Sequence, residues 1–133
     1  MKFKYKNYGS GVLRPVIPVE IINKGIVLPY EVLVDSGADS CIFDAQIAEI
    51  LGIDVFAGQK KTVWGITGVG ADYYAHRLTV KVGGWSYEIE VGFLADIARL
   101  GYGVVGQKGF FDIFVVKFDL QKEEIELLER KKK

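Results

Sequence analysis

Apolar and polar residues alternate with a period of two through much of this chain, and that pattern predicts half-buried strands rather than helices. Leu78, Val80 and Val82 alternate with Thr79 and Lys81; beyond a Gly83-Gly84 turn, Trp85, Tyr87, Ile89, Val91 and Phe93 alternate with Ser86, Glu88 and Glu90. These read as two strands of a tight hairpin. Phe3, Tyr5 and Tyr8 between lysines predict a short edge strand. The run from Arg14 to Ile22 predicts a second, since Pro15 and Pro18 cannot donate to a central ladder. Asn23-Lys24-Gly25 is a turn signal, and Ile26 to Val34 returns as an antiparallel partner. One stretch changes period: Ile47, Ala48, Ile50 and Leu51 share a helical face, with Asp44 placed to cap it and Gly52 to stop it. Beyond it, Lys60 to Gly70 reads as a long hairpin with a glycine-rich tip, Tyr102 to Gly106 as a short buried strand, and Gln107 to Phe111 as one helical turn. Asp112 to Asp119 and Ile125 to Leu128 supply the last strands.

Composition agrees with a mainly β fold, because Val, Ile, Tyr and Phe are abundant beside sixteen glycines. At 133 residues the chain supports one core but not two catalytic lobes. Seventeen basic and seventeen acidic residues cancel, so no overall field favours nucleic acid or a membrane surface. The basic end, Arg130 to Lys133, reads as a solvated terminus. A single cysteine, Cys41, forbids an internal disulfide, and Met1 to Lys6 lack the apolar core of a secretory signal. With no apolar run long enough to span a bilayer, a cytoplasmic protein is expected.

The candidate chemistry centres on Val32-Leu33-Val34-Asp35-Ser36-Gly37-Ala38-Asp39. Here an apolar strand runs into an acid, a hydroxyl and a glycine, delivering a carboxylate on a tight turn at the end of a buried strand. An acid so placed needs hydrogen bonds, a partner acid or a metal. Taken alone, the stretch leaves open an Asp that merely bonds its own turn. Asp35, Asp39, Asp44 and His76 lack the spacing of a metal site, and no metal or other cofactor is expected. A Cys41/His76 nucleophile pair is disfavoured because Cys41 lies in an apolar context, where cysteine behaves as a small core residue. A phosphate loop of the sugar-kinase type needs about twice this length. Acid/base work by carboxylates remains; it requires two acids close together, and a two-fold dimer would bring the same acid from each chain.

The apolar strand with Asp35-Ser36-Gly37-Ala38, the glycine-rich hairpin about thirty residues on, and Val104-Val105-Gly106 together resemble the retropepsin-like aspartic proteases, over a span from Arg14 to Leu128. The short helix after the motif is closer to bacterial members and to DNA-damage-inducible ubiquitin-shuttle proteins than to viral enzymes. The resemblance implies a single retropepsin-like domain over 1–133: a closed acid-protease barrel with one or two short helices and a flap hairpin. It implies a homodimeric aspartic endopeptidase acting on peptide or protein substrates, with Asp35 as the catalytic residue of each protomer. Gly37 and Asp39, then Ile66, Thr67 and Gly68 at the flap tip, and Tyr102 and Val104 in side-chain pockets, match substrate-binding positions. Ser36 matches the hydroxyl that bonds across the dimer axis. Arg14 matches an arginine that reaches the partner's acid at the position of Asp39. The chain departs from the family at Gln107, where an arginine is usual. The alternative is a dimeric module of this fold that grips extended peptides without cutting them.

Overall fold

The strand alternation read from the sequence is present in the computed structural model, which describes residues 1–65, 67–95 and 101–131. In chain order the elements are β1 (Lys2–Lys4), β2 (Lys6–Asn7), β3 (Leu13–Arg14), β4 (Val16–Asn23), β5 (Ile26–Val34), β6 (Cys41–Asp44) and α1 (Ala45–Ile50). A 3-10 turn (Val55–Ala57) leads to β7 (Gln59–Trp64), β8 (Gly70–Val82), β9 (Trp85–Leu94), β10 (Gly103–Val105), β11 (Phe114–Asp119) and β12 (Glu124–Glu129).

Six strands close into a barrel in the order β4-β5-β10-β6-β9-β8, with β8 pairing back onto β4. Inward positions are apolar: Ile17, Ile21, Val32, Phe43, Val91, Phe93 and Val105 are all essentially inaccessible. Burying such side chains stabilises the fold by about 1.5–3 kcal/mol each. A second antiparallel sheet, β1-β12-β11, lays Phe114, Ile125 and Leu127 on the same core. The mainly β closed barrel is thus the fold the sequence implied.

Three local expectations are corrected. The run from Arg14 to Ile22 is not an edge: β4 pairs with β5 and, through Glu20, Ile21 and Ile22, with β8. Pro15 and Pro18 lie before the stretch that meets β8, so neither removes a donor from that ladder. The expected strand around Phe3 to Tyr8 is split into β1 and β2, which serve different sheets. Gln107 to Phe111 is not a helical turn; the N–H groups of Phe111 and Asp112 reach back five residues to Gly106 and Gln107. The helix α1 forms where expected, with the buried Asp44 accepting the Gln46 N–H at 3.0 Å.

One topological feature positions the site. The chain leaves β5 at Val34 and re-enters the barrel as β6, but β5 and β6 do not pair. Between them lies β10, parallel to β5 and antiparallel to β6. The turn from Asp35 to Ser40 therefore spans a gap filled by a strand that arrives much later in the sequence.

Candidate active site

Asp35 follows directly on the buried end of β5, and its main-chain N–H donates to the Val105 carbonyl at 3.0 Å. Its Oδ1 accepts the Gly37 N–H at 2.9 Å, while its carbonyl accepts the Ala38 N–H at 3.2 Å. The acid is half-buried; Ser36 and Gly37 are exposed. The turn is tied down from the far side, where the Gln107 and Lys108 N–H groups donate to Ala38 and Asp39 carbonyls at 2.8 and 3.0 Å. The Gln107 side chain donates from Nε2 to the Ser36 carbonyl at 2.6 Å. Gln107 thus supports the motif within one chain by a neutral hydrogen bond. The sequence offered no sign of this contact.

A cavity of about 260 Å³ opens beside the turn. Residues 37–40 form one wall, Thr62, Val63 and Trp64 of β7 the other, and Ile42 and Tyr73 the floor. Of the expected substrate-binding residues, this cavity brings together Gly37 and Asp39. Thr67 and Gly68 sit exposed at the tip of the β7–β8 hairpin, and Ile66 lies outside the described residues. Sequence reading missed Thr62, Trp64 and Tyr73; the one available signal was a Val-Trp pair leading into the glycines.

Val104 is half-buried on β10 between Leu33 and Ile42. Tyr102, expected to line a pocket, is buried. Its ring meets Tyr8 edge-on at 6.1 Å, and the Arg14 guanidinium lies over the Tyr8 ring at 4.8 Å. Arg14 is therefore placed against this aromatic pair and makes no ion pair with Asp39 of its own chain among the described residues.

The other chemical candidates have structural employment. Cys41 is buried on β6, and burial pushes its thiol up to about 11, far from a reactive thiolate. The His76 Nε2 is 2.9 Å from the Val55 carbonyl, with the ring edge-on to Phe93. No group of three or more His, Cys, Asp or Glu among the described residues is arranged to hold a metal ion. No helix among them is long and apolar enough to cross a membrane.

Comparison with known proteins agrees with this geometry. The family model described as "Aspartyl protease" matches residues 17–108, which include the turn, the cavity walls and β10. No curated protein matches the chain. Among solved structures, a retropepsin-like aspartic protease from Rickettsia conorii aligns with a TM-score of 0.62 at 19% identity, covering 96% of this chain and 98% of the other. At that identity the likeness is one of fold.

Proposed function

The chain belongs to the aspartyl protease family and has a retropepsin-like fold; from that premise we propose that residues 1–133 form a single aspartic endopeptidase domain, active as a homodimer with one Asp35 from each protomer. The observation that carries this reading is the setting of Asp35. It is the acid at the crossing where the turn from β5 to β6 passes the end of β10, with Oδ1 engaged by the Gly37 N–H and no intrachain hydrogen bond to Oδ2 among the described residues. One such acid cannot serve as both base and acid. A two-fold axis at the turn supplies the second.

In this mechanism a water lies between Asp35 and the partner's Asp35, which share a proton. One carboxylate takes the water's proton as the oxygen attacks the scissile carbonyl, and the other donates to the carbonyl oxygen, so that no covalent intermediate forms. The β7–β8 hairpin acts as the flap, with Ile66, Thr67 and Gly68 closing over an extended peptide and excluding water. Gly37 and Asp39 offer the peptide main-chain and carboxylate contacts, and Tyr102 and Val104 back its side-chain pockets. Ser36 supports the dimer axis. The exposed Arg14 is the candidate to pair with the partner subunit's Asp39.

Digestion of a mixed peptide library, read by mass spectrometry, tests the proposal. Wild type is expected to cut extended apolar segments, and Asp35→Asn to lose essentially all cleavage while remaining folded. Cleavage by the variant at the wild-type rate overturns it. A wild type that binds peptides as a dimer without cutting them establishes the binding module instead.

A further inference from the structure

Both walls of the cavity beside Asp35 are tethered, through neighbouring residues, to one carboxylate outside the site. Glu90 Oε2 on β9 lies 3.2 Å from Lys61 Nζ and 3.3 Å from Lys108 Nζ. Lys61 immediately precedes Thr62, Val63 and Trp64, which form the hairpin wall. Lys108 pairs with Ser40 as an isolated bridge and donates its N–H to the Asp39 carbonyl, and so belongs to the opposite wall. In backbone pairing β7 is an edge strand, hydrogen-bonded among the described residues to β8 alone.

The Lys61 half of the contact differs from an ordinary surface pair, whereas the Lys108 side chain is 64% exposed. The side chains of Glu90 and Lys61 are only 27% and 29% exposed, so screening by water is reduced. Burial pushes the Glu90 carboxyl up, but hydrogen bonds and charge from Lys61 and Lys108 outweigh it and hold the group below the usual carboxylate range. Arg77, directly across the ladder from Glu90, is engaged elsewhere and donates to the Glu88 carbonyl at 3.2 Å. Asp112, near Lys108, accepts the Gly109 N–H at 3.1 Å. Two lysines thus converge on one acid, each arriving from a different wall.

We propose that Glu90 is a positioning residue for this cleft, an ionic clasp that fixes the spacing between the Asp35–Ser40 turn and the flap strand. This rests on the protease reading for its kinetic consequence, but not for its structural one. Because the clasp acts on the width of the bound-peptide channel and not on the reacting atoms, its loss weakens substrate binding more than turnover. Hydrogen exchange tests the clasp without any activity. Glu90→Gln is expected to speed exchange in both residues 59–64 and residues 37–41, whereas Lys61→Met loosens only the first segment and Lys108→Met only the second. Acceleration of one segment alone, or of neither, in Glu90→Gln overturns the clasp.

Kinetics then test positioning, using an uncharged peptide drawn from the library. Glu90→Gln is expected to raise KM about fivefold with kcat within a factor of about two, and to lack the rise in KM that is expected of wild type between about 0.05 and about 1 M salt. Equal KM in variant and wild type, or an effect confined to kcat, overturns the positioning role. A wild type that cuts no peptide fails the protease reading and leaves the exchange result to judge the clasp.

Discussion

The crossing at Asp35 and the tip of the β7–β8 hairpin are both rich in glycine, yet they are held together in opposite ways. At the crossing the links run between distant parts of the chain: Asp35 to Val105, Ala38 to Gln107, Asp39 to Lys108, and Ser36 to the Gln107 side chain 71 residues away. At the tip they are local, with the Gly65 N–H donating to Val69 and the Gly68 N–H to Gly65. Trp64 and Val69 beside the tip are about 70% exposed, whereas Val34 and Val105 at the crossing are buried. Long-range links open only when the barrel opens, but local ones can open singly. The fold therefore holds the carboxylate on a part that yields less than the hairpin tip. Glycine serves the first by its absence of a side chain and the second by its backbone freedom.

Gly106 gives the sharpest way to break that comparison. A Cβ there would lie 2.4 Å from the Ala38 carbonyl oxygen and 2.7 Å from that of Ser40, both main-chain atoms that cannot swing aside. Gly106→Ala must push β10 away from the turn it supports, at a cost of about 3 kcal/mol or more. Denaturant unfolding is expected to show a large drop in midpoint. A variant as stable as wild type would mean that the crossing yields as readily as the tip.

A smaller effect comes from Tyr30, which supports the end of β6 remote from the crossing. Its hydroxyl accepts the Asp44 N–H at 3.2 Å and its ring meets Phe43 edge-on at 5.2 Å. Burial pushes its phenol from 10.0 up to about 12. The fold thus favours the neutral phenol, so this contribution is fully present below pH 10 and is lost as pH rises from 10 towards about 12. Wild type is expected to lose melting temperature more steeply than Tyr30→Phe across that window, while the variant starts about 1 kcal/mol lower at neutral pH because the Asp44 N–H is unpaired. Parallel curves for the two proteins would remove Tyr30 from the support of β6.

The same contrast decides what could be read from the sequence. Asp35-Ser36-Gly37 was legible because strand, acid and turn are contiguous, and the β8–β9 hairpin because alternation and Gly83-Gly84 are local signals. Strand β6 was not, since Cys41, Ile42, Phe43 and Asp44 are all buried and give no period of two. The closure of β4 onto β8 was hidden by Pro15 and Pro18, whose restriction applies only to their own positions. The contact of Tyr102 with Tyr8 was not legible, because nothing local shows that the two rings meet. Gln107 read only as a missing charge, since its bond to Ser36 exists only once β10 is threaded between β5 and β6. Glu90 read only as a polar position of an alternating strand for the same reason, as its two lysines come from other strands and loops.

The smallest expected effects belong to the hairpin tip, and they separate the two uses of glycine. Gly68 has φ +80° and an added Cβ would meet nothing within 4 Å, so Ala there escapes any clash but must adopt a left-handed backbone. Gly65 lacks a positive φ, and an added Cβ would meet only the Val69 carbonyl oxygen at 3.8 Å, an ordinary contact. Gly68→Ala is therefore expected to destabilise by about 1 kcal/mol. Gly65→Ala is expected to be neutral or to stabilise by up to about 0.5 kcal/mol, since it restricts the unfolded chain without straining the folded one. Because the tip bonds are local, the Gly68→Ala strain should also speed hydrogen exchange at residues 65–69 while leaving residues 35–38 unchanged. Equal effects of the two substitutions on the denaturant midpoint would show that conformation is not what the tip asks of its glycines. Faster exchange at the crossing in Gly68→Ala would show that the two regions open together.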